Sequence, residues 1–275
     1  MCYDIANNNF GGTTMVLNCS YYSTVLLRNV EFNVLIPTPT SNGGQLRKEP
    51  FKVLYLFHGL HGDAHSWLHR SNISRHIEDS SILVVMPDVR NSFYQDMVYG
   101  ENYFTYLTKE LPEYIRTIFP VSKKREDTFV AGLSMGGYGA WYLALKCPEQ
   151  YAAAASLSGF LDAGFRVTPP LTQFGDPATG KIPPFLFHAY GDMTKIAGSD
   201  RDIIALFEKD QQTGTLPRLY QSCGTEDFLF QMNQRVKEAL TEMGAQIDYR
   251  EVPGYAHEWD FWDLEIKNVL KWILE

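Results

Sequence analysis

The sequence predicts an α/β fold in which a mostly parallel central sheet carries helices on both faces. From about residue 52 to the end of the chain, short apolar runs alternate with segments of helical periodicity, which is the pattern of repeated β–α units. Strand-like segments without intervening helices precede them and predict an antiparallel start to the sheet. The chain has 275 residues, 45% of them apolar and 20% charged, so it can bury a large core.

The first part of the chain is dominated by β-branched and apolar residues. Pro37 ends the last N-terminal strand, and residues 37–44 have the composition of a turn. The strands predicted in this part are Thr13–Cys19, Thr24–Leu27, Val30–Ile36, Lys52–Phe57 and Ile82–Met86, with a short helix over Ile73–Asp79.

The remaining chain alternates regularly between helices and strands. The predicted helices are Glu101–Phe119, Met135–Cys147, Arg201–Gln212, Glu226–Met243 and Trp259–Leu274, and the predicted strands are Thr128–Ala131, Ala152–Leu157, Pro217–Ser222 and Gln246–Val252. Only Phe160–Ser199, rich in Gly, Pro and Phe, breaks this alternation, and long irregular segments in compact domains are commonly functional. We therefore expect a single domain over residues 1–275, with residues 160–199 as a lid insertion.

Composition narrows the classes of partner. Lys and Arg total 24 against 32 Asp and Glu, a net charge of −8 that argues against binding to nucleic acid. No run of about 18 apolar residues is present, so we expect no membrane span. The four cysteines are scattered without a C-x-x-C pair, and the chain start lacks the basic and apolar regions of a secretory signal. These features predict a cytoplasmic protein; they leave the oligomeric state, a homo-oligomer included, open.

The strongest motif is Gly132-Leu133-Ser134-Met135-Gly136, a G-x-S-x-G that directly follows a predicted strand and opens a predicted helix. Such a strained strand-to-helix turn raises a serine above the sheet, and flanking side chains would clash across it. The helix N-terminus below favours developing negative charge. The motif therefore predicts Ser134 as a catalytic nucleophile.

A nucleophilic serine needs a histidine base and a carboxylate that orients it. His188 and His257 are the two histidines after Ser134, and His257 is the predicted base because it lies in the loop between the last strand and the last helix. Asp227 is the predicted acid because it closely follows the strand Pro217–Ser222. Glu226 and Asp192 stay open as alternative acids.

The oxyanion of the tetrahedral intermediate also needs hydrogen-bond donors. The backbone N–H of Met135, next to the nucleophile, is one candidate. The N–H of Leu60, in the loop after the strand that ends in His58-Gly59, is the other. Gly59 would let a substrate carbonyl approach this backbone closely.

A histidine cluster offers a rival interpretation as a metal site. Five of the seven histidines lie between His58 and His76. Their spacing does not match the H-x-H-x-D-H pattern of a metallo-β-lactamase-type site, and no later Cys or carboxylate cluster completes a ligand set. We expect a polar loop beside the active site and no bound metal.

As a set, several motifs resemble the bacterial tributyrin-esterase branch of the esterase D family of α/β-hydrolases. This family also contains S-formylglutathione hydrolases and feruloyl esterases. The resemblance runs from about Tyr21 to the C-terminus and is carried by residues 55–60, 66–68, 84–87, 131–139, 224–229 and 257–259. It implies an α/β-hydrolase fold, Ser134, Asp227 and His257 as catalytic triad, Leu60 and Met135 as oxyanion donors, and no cofactor. Around His257 this chain has Ala256-His257-Glu258-Trp259, whereas the formylglutathione branch resembles Asp-His-Ser-Tyr.

The hypothesis is a serine carboxylesterase that hydrolyses short-chain acyl (acetyl, butyryl) or hydroxycinnamoyl esters, on small molecules or carbohydrates, through an acyl-enzyme. Two alternatives are an S-formylglutathione thioesterase and a non-catalytic relative that binds carbohydrate or a partner. With 14% aromatic residues, we also expect an aromatic-walled pocket. Its predicted substrate-binding residues are Gly59, Trp67 and Trp259, and further rings expected around Ser134 are Phe93, Tyr94, Tyr99, Phe160, Phe165, Phe174 and Trp262.

Overall fold

A computed structural model of the chain describes residues 13–38, 49–78, 80–168 and 183–275. Its centre is one eight-stranded sheet with the strand order β1-β2-β4-β3-β5-β6-β7-β8. β1 and β2 are antiparallel, β2 and β4 are antiparallel, and the remaining neighbours are parallel. The strands are β1 Thr13–Ser23, β2 Arg28–Thr38, β3 Lys52–Phe57, β4 Ile82–Pro87, β5 Thr128–Leu133, β6 Ala153–Leu157, β7 Arg218–Gly224 and β8 Ile247–Val252. The predicted α/β fold with a mostly parallel sheet is confirmed.

The predicted strand Thr24–Leu27 is wrong, because these residues form the turn that joins β1 to β2. The buried Glu110 carboxylate fixes this turn by accepting hydrogen bonds from the N–H and the Oγ1 of Thr24, both at 2.7 Å, and from the Ser23 hydroxyl. β-branched composition indicated a strand, but a partner more than 80 residues away decides the conformation.

The helices differ from the prediction mainly at their ends. Within the described ranges they are α1 Ser66–Arg70, α2 Ile73–His76, α3 Tyr103–Thr105, α4 Leu111–Ile118, α5 Met135–Lys146, α6 Pro184–Tyr190, α7 Ile203–Thr213, α8 Phe230–Glu242 and α9 Trp259–Trp272. A π-helical turn, Tyr106–Glu110, joins α3 to α4. α1 was not predicted, and α6 lies in the segment predicted as irregular, of which residues 169–182 lie outside the described part. None of these helices is long and apolar enough to cross a membrane.

Apolar side chains cover both faces of the sheet. In β3, Val53, Tyr55 and Phe57 belong to one buried cluster, whereas Leu54 and Leu56 belong to another. The first cluster includes residues of α4 to α8, and the second includes residues of α1, α2 and α9. This arrangement brings α5 and α9 to the same carboxyl edge of the sheet from opposite faces, where open α/β sheets bind ligands.

Candidate active site

The G-x-S-x-G turn lies at the carboxyl end of β5. Ser134 has φ 55° and ψ −118°, a strained conformation for a residue with a side chain, and α5 begins immediately after it. A Cβ on Gly136 would lie 2.6 Å from the carbonyl oxygens of Phe57 and His58, and one on Gly132 would collide with the Gly136 carbonyl. Both glycines are therefore required by backbone packing against the end of β3.

Three side chains from three loops meet above this turn. His257, between β8 and α9, has its Nε2 3.0 Å from Ser134 Oγ and its Nδ1 2.8 Å from Asp227 Oδ2. The Asp227 side chain is fully buried and the His257 side chain is 18% exposed. Asp227 Oδ1 accepts the Leu229 N–H at 2.8 Å, which fixes the carboxylate. Serine, histidine and carboxylate thus form one continuous chain of hydrogen bonds.

The other candidates for base and acid lie elsewhere. Glu226 is exposed, and its backbone N–H donates to the Tyr255 carbonyl. The Asp192 side chain is 49% exposed and accepts hydrogen bonds from Thr194. His188 lies on α6, in the segment above the sheet. In this geometry His257 is the base within hydrogen-bond reach of Ser134, and Asp227 is the carboxylate that binds His257.

A buried thiol lies beside the carboxylate. Burial, with a further contribution from the Asp227 charge, raises the pKa of Cys223. The thiol therefore stays protonated at neutral pH and does not compete with Ser134 as a nucleophile.

The two predicted oxyanion donors flank Ser134. The N–H groups of Leu60 and Met135 donate to no other group in the part of the chain that the structure describes. Both residues line the same cavity as Ser134. A Cβ on Gly59 would lie 3.3 Å from the Ser134 Cβ, so the Gly59–Leu60 backbone runs directly beside the serine.

His58 holds this backbone in place from below. Its Nε2 accepts the Val89 N–H at 3.1 Å, which leaves Nδ1 protonated and able to donate to the Gly59 carbonyl at 2.7 Å. Tyr94 donates its hydroxyl to the His58 carbonyl at 2.7 Å. Sequence reasoning grouped His58 with a polar loop, but it is a buried, neutral residue that positions the Gly59–Leu60 turn.

The neutral state of His58 should make stability depend on pH. Burial lowers its pKa from the ordinary 6.5, and protonation would turn Nε2 into a donor facing the Val89 N–H. Because the folded-state pKa is the lower one, the unfolded chain binds the proton first, and stability is lost as the pH falls below about 6.5. One such group contributes at most about 1.4 kcal/mol per pH unit.

Urea unfolding of the wild type and of His58→Gln at pH 7.5, 6.5 and 5.5 measures this contribution. The variant should be less stable at pH 7.5 by about 1–3 kcal/mol, since buried polar groups lose their partners. The difference should narrow at pH 5.5, because glutamine does not titrate. Parallel pH profiles of the two proteins would contradict the assigned protonation state.

A cavity of about 450 Å³ opens over Ser134. Its lining is aromatic and apolar on several sides, with few charged groups. The lining residues are Gly59, Leu60, His61, Gly62, Ser66, Arg70, Phe93, Leu133, Ser134, Met135, Phe160, Phe228, His257, Trp259 and Trp262. Gly59 and Trp259, two of the predicted substrate-binding residues, are among them.

Trp67, the third of these, does not line the cavity. It is 1% exposed, donates its Nε1–H to the Phe57 carbonyl at 3.0 Å, and packs edge-on against Trp259 at 5.2 Å. The reason is helical geometry: Ser66 and Arg70, four residues apart on α1, face the cavity, whereas Trp67 points into the core. Trp67 therefore supports Trp259 from behind.

The other aromatic residues divide in the same way. Phe93, Phe160 and Trp262 line the cavity as expected. Tyr94 is buried below it, Tyr99 is exposed and stacks on Phe187, and Phe165 packs behind Phe160. Phe174 lies outside the described residues. Phe228, which sequence reasoning missed, has its ring 4.5 Å from that of His257 and was signalled only by its position after Asp227.

The clustered histidines have separate surroundings. His61 has φ 63°; its backbone N–H donates to Asn91 Oδ1 at 2.8 Å, and its ring Nδ1 lies 3.3 Å from Asn91 Nδ2. His65 stacks on His69, and His76 lies 3.0 Å from an Asp263 carboxylate oxygen. Among the described residues, no group of three or more His, Cys, Asp or Glu side chains is arranged to hold a metal ion.

Comparison with known proteins places this geometry in a family. The sequence profile of the family described as "Putative esterase" matches residues 23–273. An acetyl esterase of Caldicellulosiruptor saccharolyticus is 33% identical over 263 residues, which cover 94% of this chain and 97% of that protein.

Two solved structures from Staphylococcus aureus are also similar. The fluorophosphonate-binding serine hydrolase FphF has a TM-score of 0.81 and 29% identity, covering 96% of this chain and 99% of its own. The S-formylglutathione hydrolase FrmB has a TM-score of 0.80 and 29% identity, covering 95% and 99%. The predicted α/β-hydrolase fold and the resemblance to the esterase D family are thereby confirmed. The chain belongs to this esterase family, and its relatives include an acetyl esterase and a fluorophosphonate-binding serine hydrolase.

Proposed function

We propose that the protein is a serine carboxylesterase in which Ser134, His257 and Asp227 form the catalytic triad. The observation that carries this proposal is the chain of hydrogen bonds from Ser134 Oγ through His257 to the buried Asp227, at 3.0 and 2.8 Å. Two unpartnered N–H groups, of Leu60 and Met135, lie beside the same serine within the described chain. Base, nucleophile and oxyanion donors are the parts that acyl transfer to a serine requires.

Acylation begins when His257 Nε2 accepts the proton of Ser134 Oγ, and Oγ attacks the ester carbonyl carbon. The carbonyl oxygen becomes an oxyanion that accepts hydrogen bonds from the Leu60 and Met135 N–H groups. The intermediate collapses as the bond to the alcohol oxygen breaks and His257 donates its proton to that oxygen. The alcohol leaves and the acyl group stays on Ser134.

Deacylation repeats these steps with water. The water oxygen adds to the acyl carbon while His257 Nε2 accepts a proton from that water. The second intermediate then collapses as the bond between the acyl carbon and Ser134 Oγ breaks. The proton then returns to Oγ and the carboxylic acid is released. Throughout, Asp227 keeps the proton of the resting imidazole on Nδ1 and stabilises the imidazolium that forms.

The substrates we propose are esters of short acyl groups, acetyl or butyryl. The similarity to an acetyl esterase supports this choice, and a cavity of about 450 Å³ must hold both the acyl group and part of the alcohol. The aromatic wall formed by Phe93, Phe160 and Trp259 favours hydroxycinnamoyl esters as the second candidate. No cofactor enters any of the proposed steps.

A panel of esters tests this specificity. We expect kcat/KM for p-nitrophenyl acetate and butyrate to exceed that for the octanoate by about tenfold or more, because an acyl chain too long for the cavity must displace its lining or hold the carbonyl away from Ser134, and about 1.4 kcal/mol lost in the transition state is a factor of ten in rate. Methyl ferulate should be hydrolysed more slowly than the short esters. A higher kcat/KM for the octanoate or for methyl ferulate would contradict the short-acyl assignment.

Two further functions have specific tests. The similarity to FrmB supports S-formylglutathione hydrolysis, which a side-by-side assay with p-nitrophenyl acetate would separate from carboxylesterase activity. A non-catalytic relative would fail to react with a fluorophosphonate probe. We expect labelling at Ser134.

We also propose that residues 1–275 form a single cytoplasmic domain in which residues 160–199 act as a lid. One continuous sheet and the position of Phe160 in the cavity wall support the domain and the lid. Free thiols at Cys19, Cys147 and Cys223 suit a reducing compartment.

A further inference from the structure

One permanent charge lies in the wall of the cavity, and the proposed chemistry does not use it. Arg70, the last residue of α1, is exposed and lines the cavity together with Ser66 on the same helical face. Its guanidinium lies over the Trp259 ring, 5.4 Å from the centroid. This contact orients the guanidinium by a cation–π interaction while its N–H donors stay accessible to a ligand.

No described ion pair neutralises this cation. The cavity lining contains no carboxylate among its described residues, and no described ion pair includes Arg70. Of the carboxylates close to this helix and to Trp259 along the chain, Asp63 binds Ser66 and the His65 N–H, Asp263 binds Asn72 and His76, and Glu258 accepts the Ala256 N–H. Asp260, next to Trp259, is exposed to solvent and forms no described ion pair with Arg70. A positive cavity wall is notable in a chain of net charge −8.

A row of ring contacts connects Arg70 to the proposed catalytic histidine. The imidazole of His257 packs on Trp262 at 4.9 Å, Trp262 packs on Trp259 at 5.3 Å, and Arg70 covers Trp259. The leaving oxygen must face His257, because that residue protonates it. An alcohol portion that runs from His257 along the two indoles would reach Arg70.

We propose that Arg70 and Trp259 form a subsite for a carboxylate carried by the alcohol portion of the substrate, so that the enzyme prefers anionic esters of short acyl groups. A guanidinium presents a planar fork of donors that matches a carboxylate, and one cation balances one such charge. The Trp259 face beside it accommodates a planar or apolar spacer. This inference rests on the proposed function and adds a preference for the alcohol portion of the ester.

The test compares two acetyl esters of equal size, 4-acetoxybenzoate and 4-acetoxybenzamide, on the wild type, Arg70→Gln, Arg70→Lys and Arg75→Gln. Differences in leaving-group reactivity cancel when the ratio of kcat/KM for the two esters is compared between proteins.

Arg70→Gln should lower kcat/KM for the benzoate about tenfold, mainly through KM, and leave the benzamide within about twofold. Arg70→Lys should retain part of the preference. Arg75, exposed on α2 and outside this cavity, is the matched control for loss of one positive charge and should leave the ratio unchanged.

Each result has a defined meaning. A selective loss of benzoate hydrolysis in Arg70→Gln supports the subsite. So does a wild-type preference for the benzoate over the benzamide that weakens as NaCl rises from 50 to 500 mM. An equal loss for both esters would overturn it and assign Arg70 to holding Trp259. An unchanged ratio would also overturn it. A wild type that hydrolyses neither ester overturns the proposed function and this inference with it, whereas normal benzamide hydrolysis keeps the function intact whatever Arg70 does.

Discussion

Replacing Ser134 by alanine should reduce kcat by about four to six orders of magnitude, because removal of a triad nucleophile leaves only the oxyanion donors and binding to act on the ester. The variant loses only the hydroxyl group, whose oxygen lies 3.0 Å from His257 Nε2. Fold and cavity should persist, so the thermal unfolding midpoint should stay within a few degrees of the wild type. Stopped assays with p-nitrophenyl acetate at high enzyme concentration would measure the residual rate.

Ser66→Ala is the matched control for this variant. Ser66 also lines the cavity, but its hydroxyl binds Asp63 and does not touch His257. We expect its kcat to stay within about tenfold of the wild type and its reaction with a fluorophosphonate probe to persist, whereas Ser134→Ala should not be labelled. Labelling of Ser134→Ala, or kcat within tenfold of the wild type, would reject Ser134 as the nucleophile.

The fold could be predicted because the hydrophobic pattern indicates the strands and helices, and their order along the chain indicates a mostly parallel sheet. β3 has the predicted bounds, Lys52–Phe57, since both faces of a central parallel strand are buried and its apolar run is continuous. Helix starts were less predictable. α8 begins at Phe230, four residues after the predicted Glu226, because Asp227 turns its carboxylate to the Leu229 N–H and to His257. Long-range side-chain contacts of this kind leave no local sequence pattern.

The proximity of Ser134, Asp227 and His257 could be inferred from topology, because the carboxyl ends of parallel strands share one edge of the sheet. The cavity wall could not be inferred in the same way. Trp67 was assigned to it by residue type, and Arg70 was passed over, although α1 turns Arg70 to the cavity and Trp67 to the core. A helix of five residues is too short for its sequence pattern to show which face is buried. Packing of Trp67 against Phe57 and Trp259 decides that Trp67 is buried and Arg70 lines the cavity.

Replacing Asp227 by asparagine should reduce kcat by about three to four orders of magnitude while the protein stays folded. Asparagine keeps an oxygen that can accept the Leu229 N–H, so the backbone turn is preserved. Its amide N–H₂ would face His257 Nδ1, which must then present a lone pair and carry its proton on Nε2. In that tautomer the imidazole donates to Ser134 Oγ and cannot accept its proton, so the base is lost although every group stays in place.

Glu226→Gln separates this effect from the loss of a negative charge. It removes the same unit charge at the adjacent residue, but the Glu226 side chain is exposed and has no hydrogen bond to His257 among the described contacts. Its kcat for p-nitrophenyl acetate should stay within about twofold of the wild type, because an exposed charge is screened by solvent. A large loss in Glu226→Gln with a small one in Asp227→Asn would make Glu226 the acid and require His257 to move. A large loss confined to Asp227→Asn would instead show that the contact at His257 Nδ1, and not the charge near the site, sets the state of the base.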